Sequence, residues 1–379
     1  MMTKTTPMLI KGGSILQDGK FREKRTIVIE GNRIKDILDD NVPVSFDHAL
    51  TIDASGLMVV PGLIDLHLHV CFIPNHQTAQ EHFTNVTHRH ASFGTTRFLA
   101  SFCTASLDVL RENVSSFIGW DSRGKGALAL GIHVEGPFIN KNRAGAQAKE
   151  YILPVTQASV ASFVSIIKGQ PCIVAFAPEE DDKDILLDSL VQHGVIPAFG
   201  HTDADFEQSQ RAIQKGVSYA VHLFNQMRPL HHRDPGVVGA VLDSSNMIAE
   251  LIADGIHLDP AILRIIWKIK GPEKIVLASD NVLLPLVDAQ EPPRLRSGKL
   301  AGGGLALLQC VYKFSEYCDI PLAQSIEMAT LTPAKVLGVE KDFGSLLPGK
   351  IADVILLSAS GDVMMSIIDG GVVYNRLDQ

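Results

Sequence analysis

The segment PGLIDLHLH (residues 61–69) ends a short apolar run with two histidines, His67 and His69. In a β-strand, residues two positions apart direct their side chains to the same side. Two imidazole rings on one side of a strand end can chelate a divalent metal ion, but they can equally be polar positions of an ordinary strand. Similar residues at other strand ends would favour metal binding over ordinary polar strand positions.

Apolar, strand-like runs recur through the middle of the chain, and helical patterns lie between several of them. The runs lie near residues 58–66, 95–100, 127–133, 172–176, 196–200, 217–221, 248–253 and 274–279. Eight buried strands that alternate with helices are typical of a (β/α)8 barrel. We therefore expect an α/β fold with a TIM-like barrel.

Both chain ends have a different character, with β-branched runs separated by glycine-containing turns. Residues 26–29 run into the turn Gly31-Asn32, a hairpin pattern, and strand-like residues 352–357 and 363–374 follow near the C-terminus. One small β-sandwich domain formed by both termini explains these ends economically. The predicted division is a β domain at residues 1–58 plus 341–379 and a barrel domain at residues 59–340.

Metal-competent side chains follow several of the predicted barrel strands, where barrel enzymes place their active sites. These residues are Glu135, His201, His222, His257 and Asp280. Histidine nitrogens and carboxylate oxygens suit zinc or a similar ion, which lowers the pKa of bound water to about 7. A neighbouring carboxylate can take the proton of this water and pass it to a leaving amine. We predict this role for Asp280, the alternative being a structural carboxylate that caps the next element.

Composition excludes several classes of protein. The chain has 42 acidic and 34 basic residues and a formal net charge of -8, which argues against broad nucleic-acid binding. Five scattered cysteines without a CxxC motif indicate free thiols in a reducing cytoplasm. The N-terminus has no signal-peptide pattern, and no apolar run has the length of a membrane span. We expect a cytoplasmic protein with neither a nucleic-acid nor a membrane partner.

Longer motifs surround the candidate residues. They are HVEGPFIN (133–140), FGHTDA (199–204), VHLFNQM (221–227), HHRDPGVVGA (231–240), LIADGIHLDP (251–260), LASD (277–280), TPAKVLG (332–338) and GSLLPGKIADVILL (344–357). Together they resemble the amidohydrolase superfamily and, within it, the family of N-acetylglucosamine-6-phosphate deacetylases. The resemblance implies metal-dependent hydrolysis of the N-acetyl group of this sugar phosphate, or of a closely related N-acetylhexosamine 6-phosphate, to acetate and the amino-sugar phosphate. The implied mechanism uses metal-bound hydroxide, with Asp280 as general base and acid.

The resemblance also implies which residues hold metal ions. The main ion would be held by Glu135, His201 and His222. His67 and His69 match family members that bind a second ion, with Glu135 as the bridge. Zinc is the expected metal, with iron(II) or another divalent ion as alternatives, and one or two ions per subunit.

For the substrate, the resemblance implies contacts to the sugar phosphate. Asn225 and Gln226 would offer backbone N–H groups, and His257 and Arg233 would contact the phosphate as well. An arginine at the position of Arg233 reaches in from the neighbouring subunit in the family, which implies a homodimer. Arginine suits this role because its planar fork pairs with phosphate in a bidentate manner.

The chain departs from the family pattern at three places. Residues 70–74 replace a Gly-Gly pair, and the stretch between Asp280 and Gly303 is shorter than usual. Gln147 stands where the family often has a histidine that contributes to binding the substrate carbonyl, and glutamine can donate a hydrogen bond but carries no proton.

These departures leave two alternatives open. One is an amidohydrolase for a different acylated amine or a cyclic amide. The other is a non-catalytic sugar-phosphate-binding relative with a structural metal, against which the retention of Asp280 argues, because binding alone needs no acid or base.

Overall fold

The computed structural model describes residues 6–42, 46, 48–70, 78–282 and 292–377. The strands are β1 (Met8–Gln17), β2 (Lys20–Glu30), β3 (Arg33–Asp39), β4 (Leu50–Asp53), β5 (Met58–Pro61), β6 (Leu63–His69), β7 (Thr95–Phe102), β8 (Leu128–Glu135), β9 (Cys172–Phe176), β10 (Ile196–Phe199), β11 (Tyr219–Ala220), β12 (Ile248–Leu251), β13 (Ile275–Leu277), β14 (Val354–Leu357), β15 (Val363–Ile368) and β16 (Gly371–Asn375). The α-helices are α1 (Ala79–Ala91), α2 (Leu107–Ile118), α3 (Gln157–Ile167), α4 (Ile185–Gln192), α5 (Phe206–Gln214), α6 (Gly236–Asp243), α7 (Pro260–Lys270), α8 (Leu307–Cys318), α9 (Leu322–Glu327) and α10 (Leu331–Leu337).

Strands β6 to β13 form a nearly closed parallel barrel. They lie side by side in chain order, and each is followed by one of the helices α1 to α8. A parallel β-bridge between Leu68 and Asn281 joins the last strand end to the first, and the N–H of His69 donates to the carbonyl oxygen of Asn281 at 3.0 Å. The predicted (β/α)8 barrel is therefore confirmed.

Helix α2 shows why the helical patterns lie outside the barrel. Leu110, Val114 and Phe117 are buried and recur at helical spacing, so that one face of the helix packs on the barrel. The Ser106 side chain accepts a hydrogen bond from the N–H of Val109 and caps the helix start. Helix α10 ends at Gly338, whose φ of 68° lies in the left-handed region that glycine adopts readily.

Both termini build a second sheet, as predicted. Its strands run in the order β16-β15-β14-β5-β1-β2-β3, and β4 pairs with β1 as well. The predicted hairpin at Gly31-Asn32 joins β2 to β3, with Glu30 opposite Arg33. Ile15, Ile27, Ile34, Val59 and Leu356 belong to the separate apolar core of this terminal sheet. The division into domains at residues 1–58 plus 341–379 and 59–340 stays a prediction.

The run near residues 58–66, predicted as one strand, is two strands in different sheets. Strand β5 ends at Pro61 and pairs with β14, whereas β6 begins at Leu63 and pairs with β7. Gly62 lies between them, and a β-carbon at this position would lie 2.1 Å from Oγ1 of Thr96. Only glycine fits there. The prediction of one strand was wrong because β5 and β6 are both buried, so their apolar sequences run together without a visible boundary.

A buried ion pair links the barrel to the terminal sheet. The Arg97 guanidinium on β7 donates to both carboxylate oxygens of Asp353, at 2.6 and 3.0 Å, and to Asp369. The Arg97 side chain also lies over the ring of Phe343 at 4.7 Å.

Among the described residues, no helix is long and apolar enough to cross a membrane.

Candidate active site

The five predicted metal ligands and Asp280 come together at the carboxyl ends of the barrel strands. Three groups have ligand atoms that all lie within 4.8 Å of one another. The groups are Glu135 with His201 and His222, His67 with His69 and Asp280, and His69 with Cys103 and Glu135. The predicted residues come from five strand ends, and Cys103, which was not predicted, comes from a sixth.

Glu135 lies at the centre of the cluster and is 3% exposed. Its Oε1 atom is 2.9 Å from Nε2 of His222 and 3.2 Å from Nε2 of His201. His201 is oriented by its other ring nitrogen, Nδ1, which lies 2.8 Å from the carbonyl oxygen of Arg143. The tautomer with hydrogen on Nδ1 donates to this carbonyl and leaves the lone pair of Nε2 available for a metal ion beside Glu135.

The histidine pair of β6 lies on the other side of Glu135. Nε2 of His67 is 3.6 Å from Oε1 of Glu135, and Nε2 of His69 is 3.6 Å from Oε2. Oδ1 of Asp280 is 3.3 Å from Nε2 of His67 and 3.0 Å from Nε2 of His69. The two carboxylates and two imidazoles therefore surround one small volume between β6, β8 and β13.

Three of these residues adopt the left-handed backbone region. The φ angles are 50° at His201, 30° at His222 and 46° at Asp280. Such conformations cost a non-glycine residue on the order of 1–3 kcal/mol and persist only where the surrounding structure holds them. Their concentration at the same barrel rim is typical of a functional site, where strained backbone holds a side chain in a required direction.

Burial and charge oppose each other in the cluster. Burial by itself raises the pKa of the Asp280 carboxyl, but the field of His67 and the hydrogen bond from His69 lower it to about 2. Burial likewise lowers the pKa of His67, yet the carboxylates of Asp280 and Glu250, the strongest of its neighbours, raise it well above its ordinary value. The carboxylates thus create a negative electrostatic potential that stabilises a protonated histidine or a bound cation in the cluster.

The donor set fits a divalent ion. It offers imidazole nitrogens and carboxylate oxygens that lie within 4.8 Å of one another in each group. This combination of ligand types suits zinc or a similar borderline ion. Within the described residues, Nε2 of His67 and Nδ1 of His222 are buried without a hydrogen-bond partner. Orphaned buried nitrogens are rare, and a cation beside the cluster would supply the partner that Nε2 of His67 lacks.

The sequence analysis missed two residues, Glu250 and Tyr219, that support the cluster through hydrogen bonds. Glu250 on β12 is fully buried, and its Oε1 lies 2.8 Å from Nδ1 of His67 and accepts the N–H of His222 at 3.0 Å. The Tyr219 hydroxyl donates to the other carboxylate oxygen at 2.7 Å. The signal in the sequence was a single charged residue, Glu250, inside the otherwise apolar strand run at 248–253.

A pocket of about 280 Å³ opens over the cluster. Four of the five predicted substrate-binding residues line it, namely Gln147, Asn225, Gln226 and His257. Arg233 does not line this pocket; its side chain is exposed and lies 2.7 Å from Nε2 of His232. The chain's own Arg233 is therefore not brought to the site.

Gln147 lines the pocket, but both polar atoms of its amide are hydrogen-bonded to neighbouring residues. Its Nε2 donates to Oε2 of Glu135 at 2.7 Å, and its Oε1 accepts the N–H of Thr104 at 2.8 Å. Gln147 therefore orients the carboxylate of Glu135. The predicted hydrogen-bond capacity of this glutamine is present, but in this arrangement it is directed at Glu135.

Two residues predicted to contact the phosphate, Asn225 and His257, already form hydrogen bonds within the chain. The backbone N–H of Asn225 donates to the carbonyl oxygen of His222 at 2.9 Å, which competes with the phosphate contact predicted for it. Nδ1 of His257 lies 2.7 Å from Oδ2 of Asp254, and the backbone N–H of His257 also donates to Asp254. This anchoring fixes the ring at the pocket wall.

Two predicted departures fall largely outside the described residues, which exclude 71–77 and 283–291. Beyond the second gap, Arg294 and Leu300 form an antiparallel bridge, and Leu295, Leu300, Ala301 and Gly302 line the pocket. The segment after residue 291 therefore forms one wall of the pocket.

Comparison with known proteins agrees with this geometry. The model of the amidohydrolase family matches residues 58–373. N-acetylglucosamine-6-phosphate deacetylase from Lysinibacillus sphaericus is 34% identical over 324 residues, which cover 81% of this chain and 83% of the relative. The Bacillus subtilis protein of the same name is 29% identical over 385 residues, with 97% of each chain covered.

Solved structures agree as well. The N-acetylglucosamine-6-phosphate deacetylase of Pasteurella multocida has a TM-score of 0.84 at 26% identity and covers 97% of this chain and 99% of its own. A variant of the Mycobacterium smegmatis enzyme, in complex with N-acetyl-D-glucosamine-6-phosphate, has a TM-score of 0.83 at 26% identity, covering 98% and 100%. The chain belongs to the amidohydrolase family and, within it, to the N-acetylglucosamine-6-phosphate deacetylases.

Proposed function

We propose that this chain hydrolyses the N-acetyl group of N-acetylglucosamine 6-phosphate, or of a closely related N-acetylhexosamine 6-phosphate. The products are acetate and the amino-sugar phosphate. The observation that carries the proposal is that Glu135, His201, His222 and Asp280 converge on one pocket. The relatives named for this activity, and the Mycobacterium smegmatis complex with the sugar phosphate, support the choice of substrate.

Glu135, His201 and His222 would hold the main divalent ion, for which we propose zinc. His67 and His69 would hold a second one. A bound ion of this kind polarises the amide carbonyl and makes an attacking water more acidic near neutral pH. Hydrogen bonds hold the proposed ligands in place. Gln147 orients Glu135, the carbonyl group of Arg143 orients His201, and Glu250 orients His67.

Asp280 is the group that we propose for proton transfer. It lines the pocket, and its Oδ1 lies 3.0 Å from Nε2 of His69 and 3.3 Å from Nε2 of His67. It takes the proton of the attacking water and delivers it to the amide nitrogen as the C–N bond breaks, because an amine anion is a poor leaving group. His133 is fully buried and does not line the pocket, which leaves Asp280 as the better placed group.

His257 and Gln226 would contact the sugar phosphate within one chain. Arg233 would reach the phosphate bound by a neighbouring subunit, since in its own chain it lies outside the pocket. The proposal therefore includes a homodimer with the phosphate site at the subunit interface. We also propose a cytoplasmic location.

A panel of amides tests the proposal. Purified protein loaded with zinc is assayed for acetate release from N-acetylglucosamine 6-phosphate, its galactosamine epimer, unphosphorylated N-acetylglucosamine and a cyclic amide. We expect the hexosamine phosphates to be preferred. Hydrolysis of only the cyclic or unphosphorylated amides would favour an amidohydrolase for another amide. Binding of the sugar phosphate without turnover would indicate a non-catalytic relative.

A further inference from the structure

Cys103 occupies a strand-end position that the proposed mechanism does not use. It directly follows β7, which lies between β6 and β8 in the barrel. Its neighbours in space are therefore His69 at the end of β6 and Glu135 at the end of β8. Three adjacent strands thus each place one metal-competent side chain at the same rim.

The three side chains lie close enough to share one ion. One ligand atom from each of Cys103, His69 and Glu135 lies within 4.8 Å of the other two. Nε2 of His69 faces Oε2 of Glu135 at 3.6 Å, and Sγ of Cys103 lies 3.3 Å from Nδ1 of the same ring. Tetrahedral zinc separates a sulfur ligand from a nitrogen ligand by about 3.6 Å, which lies within the 4.8 Å limit. Cys103 also lines the pocket, so an ion and its water ligands have access.

A second observation points to a cation at the same place. Nε2 of His67 is completely buried, has no hydrogen-bond partner among the described residues, and lies 3.6 Å from Oε1 of Glu135. Glu250 occupies the other nitrogen of this ring at 2.8 Å. The unsatisfied nitrogen therefore lies beside Glu135, which belongs to the same group of ligand atoms as Cys103 and His69.

We propose that Cys103 is a thiolate ligand of the second metal ion, together with His69 and Glu135. The proposal rests on the proposed function, because it concerns the same pocket. Binding exchanges the S–H bond for a sulfur–metal bond, and the thiol proton leaves to solvent. A thiolate makes the second site selective for soft or borderline ions such as zinc and cobalt over magnesium or manganese.

Cobalt(II) is the probe, because sulfur ligation gives it an intense near-ultraviolet charge-transfer absorption that nitrogen and oxygen ligands do not produce. Metal-free protein is titrated with cobalt(II) while the visible d–d bands and the near-ultraviolet region are recorded. The first equivalent should give d–d bands alone. The second equivalent should add the charge-transfer band and release one thiol proton in weakly buffered solution.

Variants identify the sulfur. Cys103→Ser should remove the charge-transfer band and weaken binding of the second cobalt ion by about 100-fold or more, while the first equivalent binds as before. Cys172→Ala is the matched control, since this cysteine is buried in β9, and it should keep the band. Cys71→Ser controls for the cysteine nearest His69 in sequence and should also keep it.

The outcomes separate this inference from the proposed function. A wild-type protein that shows bound-cobalt d–d bands and deacetylase activity, but no charge-transfer band at any ratio, overturns the role of Cys103 and leaves the function intact. Loss of the band in Cys71→Ser, or its persistence in Cys103→Ser, does the same. Absence of any bound cobalt or of deacetylase activity would instead contradict the proposed function.

Discussion

Nδ1 of His67 lies 2.8 Å from Oε1 of Glu250, and both side chains are fully buried in the barrel. The carboxylate accepts from Nδ1–H and therefore presents Nε2 to the cluster. A carboxylate behind a histidine is the usual outer partner of a metal ligand, where it fixes the tautomer and strengthens the donor. This pair is the structural reason to assign a metal-binding role to His67.

Replacing Glu250 with glutamine should weaken the second ion. An amide can keep part of the hydrogen bonding but cannot stabilise a cationic centre, so we expect affinity to fall by about 10- to 100-fold. Zinc titration with analysis of bound metal measures this, and the wild type should bind more than one ion per chain. Tyr219→Phe, which removes only one hydrogen bond to Glu250, is the matched control and should have a smaller effect. Two ions bound as tightly as in the wild type would refute the assignment.

Removing a ligand of the main site should abolish metal retention. Glu135, His201 and His222 are the three proposed ligands of the main ion, and a three-ligand catalytic site has no ligand to spare. We expect His201→Ala to lose its ion during gel filtration, measured by elemental analysis. His193→Ala changes an exposed histidine away from the cluster and should retain the metal. Full occupancy in His201→Ala would show that the main site lies elsewhere.

Asp280→Asn should keep the fold, the main ion and substrate binding but lose at least about 100-fold in kcat, the lower range for general acid–base catalysis. The amide preserves the shape of the side chain yet cannot carry a proton. Steady-state kinetics with metal analysis of the same sample checks this. A variant with nearly normal kcat would mean that another group transfers the proton.

Arg233→Ala should raise KM for the phosphorylated sugar by about 10- to 100-fold, since a charge-assisted hydrogen bond contributes about 1.5–3 kcal/mol. Arg123→Ala, an exposed arginine paired with Asp121, is the control and should be neutral. Equal KM values for phosphorylated and unphosphorylated sugars in the wild type would remove the basis of this prediction.

A mixing experiment tests whether Arg233 acts across subunits. Refolding Arg233→Ala chains with Asp280→Asn chains in equal amounts should restore about one quarter of the sites, because each mixed dimer then has one complete site. Activity at low substrate concentration measures the recovery. No recovery, with mixed dimers shown to be present, would place Arg233 in the site of its own chain.

His90 should make the protein less stable in acid. Burial and, to a lesser extent, Arg89 lower the pKa of His90 to about 3, and neither ring nitrogen has a hydrogen-bond partner in the described part of the chain. As pH falls below the unfolded-state value of about 6.5, the unfolded chain binds a proton that the folded one does not, so the free energy of unfolding declines. Between pH 7 and pH 5 the loss should be about 2 kcal/mol.

The control for this prediction is His90→Leu, which fills the same apolar site without a titrating group. Denaturant unfolding at several pH values should show a shallower acid dependence for the variant than for the wild type. Identical pH dependence in both proteins would mean that His90 is not buried in its neutral form.

The eight-strand barrel was accessible from sequence because its strands are continuous apolar runs whose ends carry the histidines and acids. Local burial and side-chain alternation are properties of short segments, so Glu135 and His201 could be placed at the rim without coordinates. The split at Gly62 was not accessible, because it depends on the side chain of Thr96 on a neighbouring strand.

The fold class, the two histidines on one side of β6 and the candidate ligands at the other strand ends could be predicted from short segments of the chain. The surroundings of these residues depend on the folded barrel: Glu250 lies behind His67, Gln147 contacts Glu135, Cys103 lies beside His69, and Arg233 lies outside the pocket of its own chain. The physical reason is that a strand pattern defines which side chains point inward, whereas the curvature and closure of the barrel define which of them meet. Hydrogen bonds between residues 12 to 183 positions apart, such as Gln147 to Glu135 and His67 to Glu250, exist only once the barrel has closed.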